Sequence, residues 1–103
     1  LAATAQAGNL FVAVEDERIV GTVMILDNPH TFWLLRFAVD PESAQATDAA
    51  KLLFDKMSAV AAQRGHHSVI VYTDSDDEQL NRRYEDLKCH KAGNYRCYWK
   101  EVR

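Results

Sequence analysis

The side chains able to do chemistry in this 103-residue chain are few and scattered. Four histidines occur, His30, His66, His67 and His90, and two cysteines, Cys89 and Cys97. His66, His67, Cys89 and His90 can be drawn together as metal ligands on paper, but no pair has the spacing of a known zinc motif, so the expectation is solvent-exposed loop histidines and no metal. The cysteines form no CxxC pair and no disulfide framework. They read as small buried side chains in a reducing compartment, which makes the cytoplasm the expected location. Arg36 falls in an apolar run where a polar residue could face a cleft, yet a guanidinium cannot act as a base at neutral pH. Glu42 and His30 are the conceivable bases. Asp48 enters the first turn of a helix, where the macrodipole favours a carboxylate. Tyr84 lies on the apolar side of a later helix, a place for a core phenol whose hydroxyl is bonded at the edge.

The elements that must hold these residues follow from patterning. Leu10 to Glu15 and Ile19 to Leu26 are two β-rich apolar runs separated by Asp16, Glu17 and Arg18, a hairpin signal. Asp27 to His30 form a loop around Pro29, and a third strand runs from Thr31 to Val39. The second and third runs are apolar at nearly every position, which predicts a sheet covered on both faces. Ala49, Leu52, Leu53, Met57, Val60 and Ala61 recur at spacings of three and four, predicting an amphipathic helix ended by Gly65. Ser68 to Thr73 is a short strand. The polar cluster Asp74 to Glu78 then supplies a cap and first-turn acids for a second helix lined by Leu80, Tyr84 and Leu87. Asn94 to Val102 alternates aromatic and charged residues and reads as a last strand. The order is β-β-β-α-β-α-β, an α+β (mixed α/β) fold with a central mixed, largely antiparallel sheet and helices packed on its faces.

Composition narrows the partners. Hydrophobic residues make up 48% and charged residues 26%, the balance of an ordinary globular domain, and the length accommodates one such domain over residues 1–103. A net charge of -3 argues against affinity built on nucleic-acid phosphates. No run is long enough to span a bilayer, and Leu1 to Gly8 lack the charged-then-apolar pattern of a signal peptide.

Specific residues then resemble the GNAT superfamily of N-acetyltransferases. Leu10 to Val23 is similar to that family's hairpin. Phe37-Ala-Val-Asp-Pro-Glu42 is similar to its strand end and turn, at the right distance from the amphipathic helix, and Tyr84-Glu-Asp-Leu87 resembles its Tyr-Glu-x-Leu. The resemblance implies an acetyl-CoA or acyl-CoA dependent transfer to a small-molecule or peptide amine. In such proteins the diphosphate is held by backbone N–H groups at a helix N-terminus, reached closely because glycines carry no side chain. Aligned on Asp40-Pro41-Glu42, the motif positions here are Ala44, Thr47 and Ala49, of which only Ala49 fits; a shift by one places Gln45, Asp48 and Ala50 there and restores no glycine. The implied cofactor residues are Gln45, Ala46, Thr47, Asp48 and Ala49, with backbone groups of Phe37 and Val39 pairing with the pantetheine arm. Tyr84 takes the position of the general acid that protonates the departing thiolate, and Asp77 that of an asparagine seven residues earlier. The family's Gly-Phe after Tyr-Glu-x-Leu is replaced by Lys88-Cys89.

GNAT domains ordinarily open with a strand and two helices that form the acceptor side of the cleft, and the expectation is that this domain lacks them. The Leu1 start suggests removal of an upstream part or an excised fragment, hence also a structural partner of an upstream domain. A homodimer is expected to cover the apolar surface so exposed. The alternative function is a noncatalytic GNAT-fold module for binding or dimerisation that has lost its cofactor.

Overall fold

The computed structural model describes residues 1–103, with the side chain of Ala7 left aside. The chain resolves into two compact units, Leu1–Tyr72 and Thr73–Arg103. The first holds a five-stranded sheet in sequential order, made of β1 (Ala2–Ala7), β2 (Leu10–Glu15), β3 (Arg18–Asp27), β4 (Phe32–Val39) and β5 (Ile70–Val71), with helix α1 (Ala46–Gln63) between the last two strands. The pairs β1–β2, β2–β3 and β3–β4 are antiparallel, and β4–β5 is parallel. The second unit holds helix α2 (Glu78–Asp86).

Local chemistry accounts for most boundaries. Asp16 and Glu17 both have positive φ, 49° and 64°, between the paired Glu15 and Arg18. This is the two-residue turn whose twist matches a β-hairpin. Helix α1 ends at Arg64, with Gly65 left-handed at φ 87°. The N–H groups of His66 and Gly65 donate to the carbonyls of Ala61 and Ala62, which satisfies the last-turn acceptors in a Schellman motif.

The core lies between α1 and one sheet face. Gly21, Val23 and Ile25 of β3 alternate inward, and α1 meets them with Ala49, Ala50, Leu53, Phe54, Met57, Val60 and Ala61. Helix and sheet approach closely at Gly21, where an added Cβ would lie 3.0 Å from Leu53 Cδ1 and 3.2 Å from Val39 Cγ1. On the opposite face Met24 and Leu26 of β3 and Leu35 of β4 remain exposed, so the expected cover on both faces does not hold for them. Their apolar character is continuous in sequence, but only every second residue along β3 meets α1.

Two ends of the chain depart from the expected element order. Ala2–Ala7 is a strand, paired from Ala2↔Val14 to Ala7↔Leu10. Residues 94–102 form no strand; Tyr95, Tyr98, Trp99 and Val102 are exposed. Alternation expresses a preference for a pleated conformation, whereas a strand also needs a partner for its backbone groups.

Candidate active site

Strand β4 carries the local irregularity around which a site can form. Thr22 pairs with Ala38 and Met24 with Leu35, so three steps along β4 face two along β3. Arg36 occupies this bulge with φ at 51°. A bulge of this kind bends the strand and re-aims its side chains. Beyond it Phe37 turns toward α1, its ring stacked on Phe54 with centroids 6.4 Å apart. Strand β5 pairs with β4 only at Trp33 and Leu34, so the two parallel strands have no common ladder past Leu34. Phe37 and Val39 therefore lie on the stretch of β4 that follows both the bulge and the end of the parallel pairing.

The loop from β4 to α1 is built by its own polar groups. Asp40 N–H donates to the Val20 carbonyl, Asp40 Oδ1 accepts from Glu42 N–H at 2.9 Å, and Ser43 Oγ accepts from Gln45 N–H at 3.1 Å. Arg18 Nη2 reaches Asp40 Oδ2 at 2.7 Å. Gln45 stands at the N-cap of α1 but its side chain does not cap the helix. Its Nε2 instead donates to Glu15 Oε1 of β2, 3.0 Å away. Ala46 and Ala49 spend their N–H groups on the carbonyls of Ser43 and Gln45, and Ala49 is fully buried in the core. Thr47 and Asp48 are exposed on the first turn, the latter bringing a carboxylate to the positive end of the helix dipole.

The diphosphate of CoA tests this arrangement. A first-turn N–H pair at Thr47 and Asp48 is the right kind of donor, yet the side chains around it are anionic. Segment 40–51 carries Asp40, Glu42 and Asp48 against Lys51, whose Nζ is engaged by Asp55 at 2.6 Å, and Glu15 adds a fourth carboxylate through Gln45. These side chains do not fit a diphosphate.

In the second unit Asp77 caps α2, its Oδ1 accepting from Leu80 N–H at 2.9 Å. Asp77 is therefore a helix cap. Tyr84 is buried, and desolvation raises its pKa above the ordinary phenol value, with nearby Cys89 adding to the rise and Arg83 opposing it. The phenol stays protonated at neutral pH, the state a proton donor needs. The helix closes as α1 does: Lys88 and Cys89 donate to the carbonyls of Glu85 and Tyr84. Here a lysine, at φ 69°, holds the left-handed position usually taken by glycine.

The other candidates fall elsewhere. His66 is not a solvent-exposed histidine: its side chain is 11% exposed, its Nε2 lies 2.7 Å from Asp27 Oδ1, and its ring packs on Phe32 at 5.5 Å. Arg64 Nη1 takes the other oxygen of Asp27 at 2.9 Å. This cluster ties the end of β3 to the end of α1, and it was invisible in the sequence because its members are 37 and 39 residues apart. Cys89 is half-buried and Cys97 exposed, both as free thiols, so Cys97 does not take the buried place expected of it. Burial pushes the Cys89 thiol up in pKa and keeps it unreactive. His30 caps no site: its N–H closes a turn on Asn28 Oδ1.

Comparison with known proteins bears on the whole arrangement. No curated protein matches the chain by sequence. Among solved structures, the aminoglycoside acetyltransferase AAC(6')-Iy in complex with a bisubstrate analogue is similar at a TM-score of 0.78 and 18% identity, over 93% of this chain and 72% of that one. The aminoglycoside 6'-N-acetyltransferase AAC(6')-IG of Acinetobacter haemolyticus gives 0.73 at 13% identity, over 91% and 70%. A ribosomal-protein-alanine N-acetyltransferase of Brucella melitensis gives 0.69 at 19% identity, over 90% and 69%. At these identities the likeness is one of fold. The profile of the Acetyltransferase (GNAT) family matches residues 2–88, from β1 through α2 to the residue after its C-cap, and the chain belongs to that family.

Proposed function

We propose that this chain is an N-acyltransferase that moves an acyl group from a pantetheine thioester, the class that includes acetyl-CoA, to a primary amine. Family membership over residues 2–88 carries the reading. The bulge at Arg36 and the end of the β5 pairing at Leu34 support it, because past Leu34 the backbone of β4 has no ladder partner in β5 and can pair with an amide-bearing donor. In such a transfer the amine nitrogen bonds to the acyl carbon, the carbon–sulfur bond breaks, the amine gives up a proton, and the thiolate gains one. Tyr84, buried and protonated, is the donor assigned to the thiolate. The similar structures name aminoglycosides and a ribosomal-protein alanine as acceptors, so small-molecule and peptide amines are both candidates. A homodimer in the cytoplasm belongs to the same reading.

The second reading, a noncatalytic family member, is favoured by one observation: at the N-terminus of α1, where the family resemblance implies the diphosphate, Gln45 is bonded to Glu15 and Asp48 stands in the first turn. Thiol release from S-acetylpantetheine and acetyl-CoA, followed with aminoglycosides and an alanyl peptide as acceptors, separates the two. Amine-dependent release supports acyl transfer. Release from neither donor with any amine selects the noncatalytic reading.

A further inference from the structure

The carboxylates at the start of α1 bear on which acyl donor the site accepts. Gln45 is the side chain best placed to offer an N–H₂ group there, and it is held by Glu15 across 30 residues of sequence. Asp48, at the third helical position, already supplies the negative charge that the helix dipole favours. Of the cations on the elements around this turn, Arg18 is engaged by Asp40 and Lys51 by Asp55. A diphosphate brought to this turn would meet the carboxylates of Glu15 and Asp48, with the guanidinium of Arg18 and the ammonium of Lys51 both already engaged. The bulged stretch of β4 presents no such opposition, since amides bind backbone N–H and C=O groups without regard to charge.

We infer that Glu15 and Asp48 close the N-terminus of α1 to a diphosphate, and that this chain takes its acyl group from a pantetheine thioester lacking the nucleotide. This rests on the acyl-transfer reading and deepens it. The same bonds form and break as for a nucleotide-bearing donor, and only the leaving thiol differs, pantetheine instead of CoA.

The test uses the full chain, S-acetylpantetheine and acetyl-CoA, measuring dissociation constants and amine-dependent thiol release at 50 mM and 500 mM salt. Two variants are compared, Asp48→Asn and the double variant Glu15→Gln/Asp48→Asn. Both are close in shape to the native side chains, and their thermal midpoints report whether they fold. The expected result is that the native chain binds the two donors within about threefold of each other, that the double variant binds acetyl-CoA about tenfold more tightly, and that its affinity for S-acetylpantetheine stays unchanged. High salt should narrow the gap between native and variant for acetyl-CoA alone. Acetyl-CoA binding the native chain ten times more tightly than S-acetylpantetheine, or variants indifferent to both donors, overturns the inference while continued transfer leaves the acyltransferase reading standing. Neither donor binding to any of the three proteins sinks the acyltransferase reading, and the inference falls with it.

Discussion

Tyr84 is polarised by its surroundings toward keeping its proton, since desolvation raises its pKa. If its proton goes to a leaving thiolate, Tyr84→Phe should lower kcat by about a hundredfold, within the usual range for a general acid, with little change in KM. A change in KM alone, measured as thiol release against donor concentration, would mark a packing role. Asp27 sets a different kind of dependence. Its carboxyl is held below the usual carboxylate range, first by the hydrogen bond from Arg64 and then by that from His66. A group depressed on folding contributes stability above its unfolded pKa, near ~3.9, and loses that contribution as pH falls through the folded value. The urea midpoint of the native chain should therefore exceed that of Asp27→Asn at pH 6, and the gap should shrink steadily below about pH 4. A gap independent of pH would detach Asp27 from the ion pair.

Among the elements, α1 and the second helix were legible because apolar spacing and a cap leave their marks in sequence. The β2–β3 hairpin was legible from its polar turn. Strand β1 was not, because Ala-Ala-Thr-Ala-Gln-Ala has little intrinsic β preference and owes its conformation to pairing with β2. The site was less legible than the fold. Asp48 announced a helix start, whereas the Glu15–Gln45 contact joins two elements and has no sequence signal. Replacement of glycine by Lys88 was visible, and its consequence is now specific. Lysine at φ 69° pays the left-handed penalty, so Lys88→Gly should raise the stability of the α2 closure by about 0.5–1 kcal/mol, read as a higher thermal midpoint. The opposite sign is expected at Gly21. There Gly21→Val would press on Leu53 and Val39 and should cost about 1–3 kcal/mol in a urea titration. A neutral result at Gly21 would mean that Leu53 moves aside without loss of packing.

For the molecule as a whole, the homodimer proposed above is assigned to the sheet face away from α1, where apolar side chains are exposed. Met24 and Leu26 project to this side of β3, paired with Leu35 and Trp33 of β4. The Trp33 ring meets Tyr72 at 5.1 Å, which extends the apolar area toward β5. Leu26 is 50% exposed and Tyr72 64% exposed, an arrangement that a second copy of the chain would bury in the homodimer proposed above. A two-fold pairing places the same residues on both sides, so one charged substitution is felt twice. Light scattering of the native chain should give twice its 11.7 kDa mass, with dilution returning monomer only at low concentration. Leu26→Lys should shift that equilibrium toward monomer by at least a hundredfold, because two desolvated ammonium groups would face one apolar interface. Lys51→Ala, on the exposed side of α1, should leave it unchanged. A native chain of 11.7 kDa at every concentration would refute the dimer and leave this face exposed in the isolated chain.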